Sequence, residues 1–135
     1  MAFDDSPESW SAFGEAVRWA RRMRGHVVVM HAISPPPNTA AVPAEEIFTE
    51  LEEENWRRDF AKAKAKARGI SIEGITELGD AADVVPRMAA KAHAEFLVVG
   101  TKARKGVARL VLGSTAEAIL RNSEVPVLVV PHKTR

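Results

Sequence analysis

The sequence predicts an α/β fold, a parallel β-sheet with helices packed on both faces, and three observations predict it. Short apolar runs and longer amphipathic stretches alternate along the chain in the order β-α-β-α-β-α-β-α-β. Strict alternation implies parallel strands joined by right-handed helical crossovers. The runs Val27-Val28-Val29-Met30 and Phe96-Leu97-Val98-Val99 lack polar alternation, as expected of strands buried on both faces. The second run stops at Gly100, and a basic, glycine-containing loop leads to Gly113-Ser114, where a helical pattern opens. Such a layout builds an anion pocket, because backbone N–H groups and a helix dipole converge at one point.

Taken in order, Met1-Ala2-Phe3 reads as the tail of a very short strand that ends in Asp4-Asp5. Ser6 then caps a helix with Pro7 at its first position and Glu8 in its first turn. Trp10, Phe13, Val17 and Ala20 keep helical spacing. Arg21, Arg22 and Arg24 suit the negative end of the dipole, and Gly25 terminates the helix. The strand from Val27 runs on through His31-Ala32-Ile33 and breaks at Ser34-Pro35-Pro36-Pro37. The Pro-rich connection through Pro43 cannot be a central strand.

Glu45 to Arg68 reads as a long helix with acids crowding its first half and bases its second, as the dipole favours. Its apolar face is Ile47, Leu51, Phe60, Ala63 and Ala67, and Glu53–Arg57 and Glu54–Arg58 have ion-pair spacing. These charges read as a solvated face. Trp56 breaks the apolar spacing. After Gly69, Ile70 to Ile75 alternates as a half-exposed edge strand would. Gly79-Asp80 makes a turn. Pro86 places the next helix start at Asp83, so that proline falls in the first turn, where its missing N–H costs little; Val85, Met88, Ala89 and Ala92 give the apolar face. Ser114-Thr115-Ala116-Glu117 spells a capping box. Pro126 to Pro131 is a final strand bracketed by prolines.

The bulk numbers set outer bounds. A chain of 135 residues suits a single domain spanning 1–135. The net charge of +1 supplies no global field for nucleic acid or an acidic membrane. Cysteine is absent, which excludes disulfide and thiolate chemistry. No apolar run approaches the roughly 20 residues of a membrane span, and the acidic N-terminus does not read as a secretory signal.

In parallel α/β sheets ligands bind at the carboxyl ends of the strands. The candidate ends are Asp4-Asp5, Ala32-Ile33 and Val99-Gly100. Lys102, Arg104, Lys105 and Arg109 could neutralise phosphate, though singly such cations are more often solvated. Lys102 and Arg104 enter the candidate set. His31 reads as a core or strand-end histidine, and His26, His93 and His132 are scattered. No Ser-His-Asp arrangement assembles, so neither catalytic nor metal-ligating residues are assigned.

Gly100-Thr101-Lys102-Ala103, nine intervening residues and Gly113-Ser114 resemble the nucleotide motif of the universal stress protein family, G-x-x-G-(nine residues)-G-[S/T]. The flanking Leu97-Val98-Val99 and the terminal Val125-Pro126-Val127-Leu128-Val129-Val130-Pro131 are similar to that family's C-terminal signature, and Ala2-Phe3-Asp4-Asp5-Ser6 resembles its first strand and turn. The resemblance implies a three-layer fold with a five-stranded parallel sheet in the order 3-2-1-4-5. It also implies a cytoplasmic homodimer that pairs through the last strand, Val127–Val130, and, in one subgroup, bound ATP. Carried to matching positions, the nucleotide contacts are Asp4 at adenine or ribose, Ala32 main chain at adenine, and Val99, Gly100, Ala103, Gly113, Ser114 and Thr115 around the phosphates. Asp4 has a second reading, as acceptor for turn amides near Ser6, and Ser114 one as a helix cap.

Two departures stand out. Ala103 occupies the second motif glycine, where alanine is strained only if φ must be positive. The first strand lacks the upstream residues of the family, which leaves open another start site, a strand from another chain, or a fragment of a larger protein. The expected function is a nucleotide-binding stress-response module that holds ATP with Mg²⁺ as counter-charge. The alternatives are an ATP-independent dimeric interaction protein without cofactor, and a slow nucleotide hydrolase.

Overall fold

The computed structural model describes residues 1–34, 50–103 and 112–133. Their elements are α1 (Pro7–Met23), β1 (Val27–Ile33), α2 (Glu50–Ala67), β2 (Ile72–Leu78), α3 (Ala81–Lys91), β3 (Leu97–Ala103), α4 (Ser114–Asn122) and β4 (Val127–Lys133). Strand β1 pairs parallel with β2, Val27 opposite Ile72. Strand β3 pairs parallel with β4, Leu97 opposite Val127. The Pro-rich connection from Pro35 to Pro43 and the expected helix start at Glu45 lie outside the described residues.

The five-stranded sheet is corrected. The described residues form four strands in two two-stranded sheets. The N-terminal segment lies between them without becoming a strand of either. Ala2 makes a single parallel bridge with Met30. On one side Phe3 N–H donates to Met30 O and Met30 N–H to Met1 O; on the other Ala2 N–H donates to Val98 O. Three residues before Asp4 supply these few bonds and no ladder. The Met1 amine donates to Val28 O at 2.6 Å, and burial pushes it down to about 5.

Alternation along the strands divides the core into two layers. Val27, Val29 and Val98 face α1 and α2, joining Phe13, Val17, Ala63 and Ala67. Met30, Leu97 and Val99 face α3 and α4, joining Val85, Met88, Ala116 and Ile119. Helices therefore cover both faces, as the apolar strands required.

Several local expectations change. Helix α3 starts from Asp80, whose carboxylate accepts Ala82 N–H at 3.3 Å, and not from Asp83, so Pro86 lies inside it. A proline there leaves the carbonyl four residues earlier without its helical donor. That carbonyl is Ala82 O, and the side-chain amide of Asn122 donates to it at 3.0 Å. The left-handed residue ending α1 is Arg24 (φ 54°), with Gly25 N–H donating back to Ala20 O. On α2, Glu53 pairs with Arg57 at 3.6 Å, but Arg58 pairs with Asp59 rather than Glu54. Trp56 is half-buried, stacked between His31 (centroids 5.2 Å apart) and Phe60 (5.5 Å). Gly74 on β2 makes room for them, since a Cβ there would lie 2.8 Å from the Phe60 ring and 2.9 Å from Trp56. The final strand extends through Pro131 to Lys133. Leu97 N–H donates to Pro126 O, so by alternation Val127, Val129 and Pro131 direct their backbone groups to the outer edge. The missing N–H of Pro131 therefore costs the ladder nothing.

Candidate functional site

A cavity of about 320 Å³ opens at the carboxyl ends of β1 and β3. Asp4, Ala32, Val99, Gly100, Lys102, Gly113, Ser114 and Thr115 all line it. Ala103 ends β3 but is not among the lining residues. Arg104, with Lys105 and Arg109, lies outside the described residues.

Asp4 is exposed at the rim. Its Oδ1 accepts Ser6 N–H at 3.0 Å, so the turn-stabilising reading holds for one oxygen and the other remains available to the cavity. Met30 spends both N–H and C=O on the N-terminal segment. Ala32, two residues on, therefore turns its own N–H and C=O to the same side, past the end of that segment and toward the cavity. His31 points the other way: its Nδ1 donates to Phe3 O at 2.9 Å, which makes it the strand-end histidine expected.

Gly100 has a packing duty. A Cβ there would sit 2.1 Å from Glu8 O, because the first turn of α1 lies directly on the strand. Glu8 and Ser9 join the lining through this contact. Ala103 sits in β3 and is not among the positive-φ residues, so alanine is unstrained there. Lys102 is exposed at the mouth.

The start of α4 differs from the expected capping box. Gly113 is the cap and offers no side chain; Ser114 is the first helical residue. Glu117, which a capping box would send back, pairs with Arg121 at 2.7 Å. The first amides of a helix have no acceptor within it. Gly113 N–H goes to Thr101 Oγ1 at 3.1 Å. Ser114, Thr115 and Ala116 follow, all on the cavity wall and without a side-chain cap. Sequence reasoning passed over Thr101, which is 3% exposed. A hydroxyl-bearing residue in an otherwise apolar buried strand was the signal that could have found it.

The site thus combines an anion-seeking helix start, a cation, one available carboxylate oxygen and a main-chain donor–acceptor pair against an apolar wall of Met30, Ala81 and Val85. Such a set can hold a ligand with a planar, hydrogen-bonding head and an anionic tail. Among the described residues no three His, Cys, Asp or Glu side chains group to hold a metal ion, and no helix is long and apolar enough to cross a membrane.

The chain is 31% identical over 132 residues to a universal stress protein of Methanocaldococcus jannaschii, covering 94% of this chain and 77% of that one. The fold is similar to that of a universal stress protein solved in complex with cAMP (TM-score 0.71, 22% identity, 99% of this chain and 95% of the other). It is also similar to the universal stress protein of Archaeoglobus fulgidus in complex with dAMP (TM-score 0.67, 19% identity, 96% and 93%). A family model described as the universal stress protein family matches residues 1–131. That match over nearly the whole chain, with the relative at 31% identity, shows that the chain belongs to the universal stress protein family.

Proposed function

We infer that this chain binds an adenine nucleotide, in the first place ATP, and serves as a nucleotide-binding module of the stress response. The observation that carries the reading is the uncapped first turn of α4 on the same cavity as Asp4 and the Ala32 main chain. Adenine lies at the Ala32 end, where one main-chain donor and one acceptor match its edge. Asp4 takes a hydrogen bond from the base or ribose. The phosphates lie against Gly113, Ser114 and Thr115, with Val99 and Gly100 forming the floor, Ala103 and Arg104 the start of the loop, and Lys102 neutralising charge. Bound Mg²⁺ would supply further counter-charge to a triphosphate. Family members of the same fold solved with cAMP and dAMP support the ligand class.

No general base is assigned, so the reading is binding, with hydrolysis slow at most. Equilibrium dialysis with protein stripped of carried-over nucleotide tests it. Saturable ATP binding is the expected result, and no binding at millimolar ATP overturns it.

The same reading takes the protein to be a cytoplasmic homodimer paired through Val127–Val130, with residues 1–135 forming a single domain. An apolar edge strand left bare is an aggregation hazard, and the outward backbone groups of Val127 and Val129 are available for such pairing. A second reading, an ATP-independent interaction protein, draws on the short N-terminal segment, which makes one bridge and no ladder. Native mass spectrometry of freshly purified protein separates the two, since it reads subunit count and bound nucleotide together.

A further inference from the structure

Thr101 is the one buried polar side chain on β3, in a strand whose other buried positions are Leu97, Val98 and Val99. Valine has nearly the same shape and an equal or better preference for strands. Packing alone gives no reason for a hydroxyl there. Among the described residues the hydroxyl has one partner, the Gly113 amide, at 3.1 Å across twelve positions of sequence. Both residues line the cavity. The bond joins the two ends of the glycine loop at its base, and Gly113 is the residue from which α4 departs.

We propose that Thr101 is a positioning residue for the phosphate end of the site: by accepting the Gly113 amide, its buried hydroxyl fixes the cap of α4 and aims the following amides into the cavity. Gly113 has no side chain with which to fix its own orientation. An outside acceptor does that without occupying the amides of Ser114, Thr115 and Ala116. Had a side chain of the loop capped the helix instead, one of those amides would be consumed. Thr101 consumes only the amide of the cap itself and leaves those of Ser114, Thr115 and Ala116, which follow it, for phosphate. The inference rests on the nucleotide reading, and it assigns to Thr101 the discrimination between a ligand with phosphates and one without.

The test compares Thr101→Val, which removes the hydroxyl at constant shape, with Thr101→Ser, which keeps it; Thr101→Ala is the second hydroxyl-free variant should valine not fold. Calorimetry measures ATP and adenosine on each, and amide hydrogen exchange follows Gly113. The hydroxyl-free variant should bind ATP about tenfold more weakly, the worth of one buried hydrogen bond, with adenosine affinity within about twofold of the parent. Gly113 exchange should be faster in that variant, and Thr101→Ser should restore both. Unchanged ATP affinity overturns the proposal. Equal losses for ATP and adenosine, with a lower melting temperature, also overturn it, since that pattern marks a purely structural role. If the parent protein binds neither ligand, the nucleotide reading fails by itself. Gly113 exchange then decides separately whether the hydroxyl holds the loop base: unchanged exchange overturns the clamp, and faster exchange rescued by serine upholds it.

Discussion

Two helix starts face the same cavity, and their chemistry is opposite. At α1 the chain closes its own terminus. Ser6 Oγ accepts Ser9 N–H at 3.2 Å, Ser9 Oγ donates to Ser6 O at 2.9 Å, and Asp4 accepts Ser6 N–H. Pro7 removes a donor that would otherwise need a partner. At α4 the cap is a glycine, no side-chain cap closes the turn, and the three residues that follow line the cavity. One terminus spends its polarity on stability; the other holds it in reserve for something from outside. A helix end left open where the chain had the means to close it is the better pointer to a ligand than the glycine pattern that surrounds it.

Three substitutions press on that contrast. The largest effect belongs to Gly100→Ala, which drives a methyl group to 2.1 Å from Glu8 O and pushes the closed terminus off β3. Overpacking against backbone should cost about 3 kcal/mol in urea unfolding; a cost below about 0.5 kcal/mol would mean that α1 is not seated on the strand. Next comes Gly113→Asp, which closes the open terminus. The position has φ −62° and an added Cβ would have ordinary clearance, 3.7 Å from Thr101 Oγ1. The variant should gain a few tenths of a kcal/mol yet lose about tenfold or more in ATP affinity, since a carboxylate then repels the phosphates. Undiminished affinity in calorimetry would remove α4 from the phosphate site. The smallest is Ser6→Ala, which opens the closed terminus and should cost about 1 kcal/mol in thermal unfolding. Cap removal at α1 and cap addition at α4 thus have opposite signs on stability, and equal signs would dissolve the distinction between the two ends.

Much of this was legible in the sequence, for identifiable reasons. Unbroken apolar runs at Val27 and Leu97 needed burial on both faces, and the two core layers supply it. Asp4, Ala32 and Gly100 line one cavity because parallel segments bring their carboxyl sides together, and Gly113 joins them as the cap of the helix that follows β3. What escaped reading depends on competition and backbone geometry that no short motif shows. The S-T-A-E run at Ser114 matched a capping box, but Arg121 competes for Glu117 from within α4 itself. Pro86 argued for a later helix start, because nothing local reveals that Asn122 supplies the donor that proline lacks. Ala103 looked like a defect in a motif until its strand backbone removed the need for glycine. The N-terminal strand, read from the sequence as very short, makes a single bridge and no ladder.

The bond from Asn122 to Ala82 O has a consequence for how this sequence can change over generations. Pro86 and Asn122 stand on different helices, and neither touches the reasoning that selects the other, yet the proline is tolerable at that depth of α3 because the asparagine answers for it. A lineage that exchanges Pro86 for a residue with its own N–H frees position 122 to drift. A lineage that loses Asn122 first leaves that exposed carbonyl to water until the proline goes. The order of the two steps therefore decides whether asparagine or water serves the carbonyl that Pro86 leaves open.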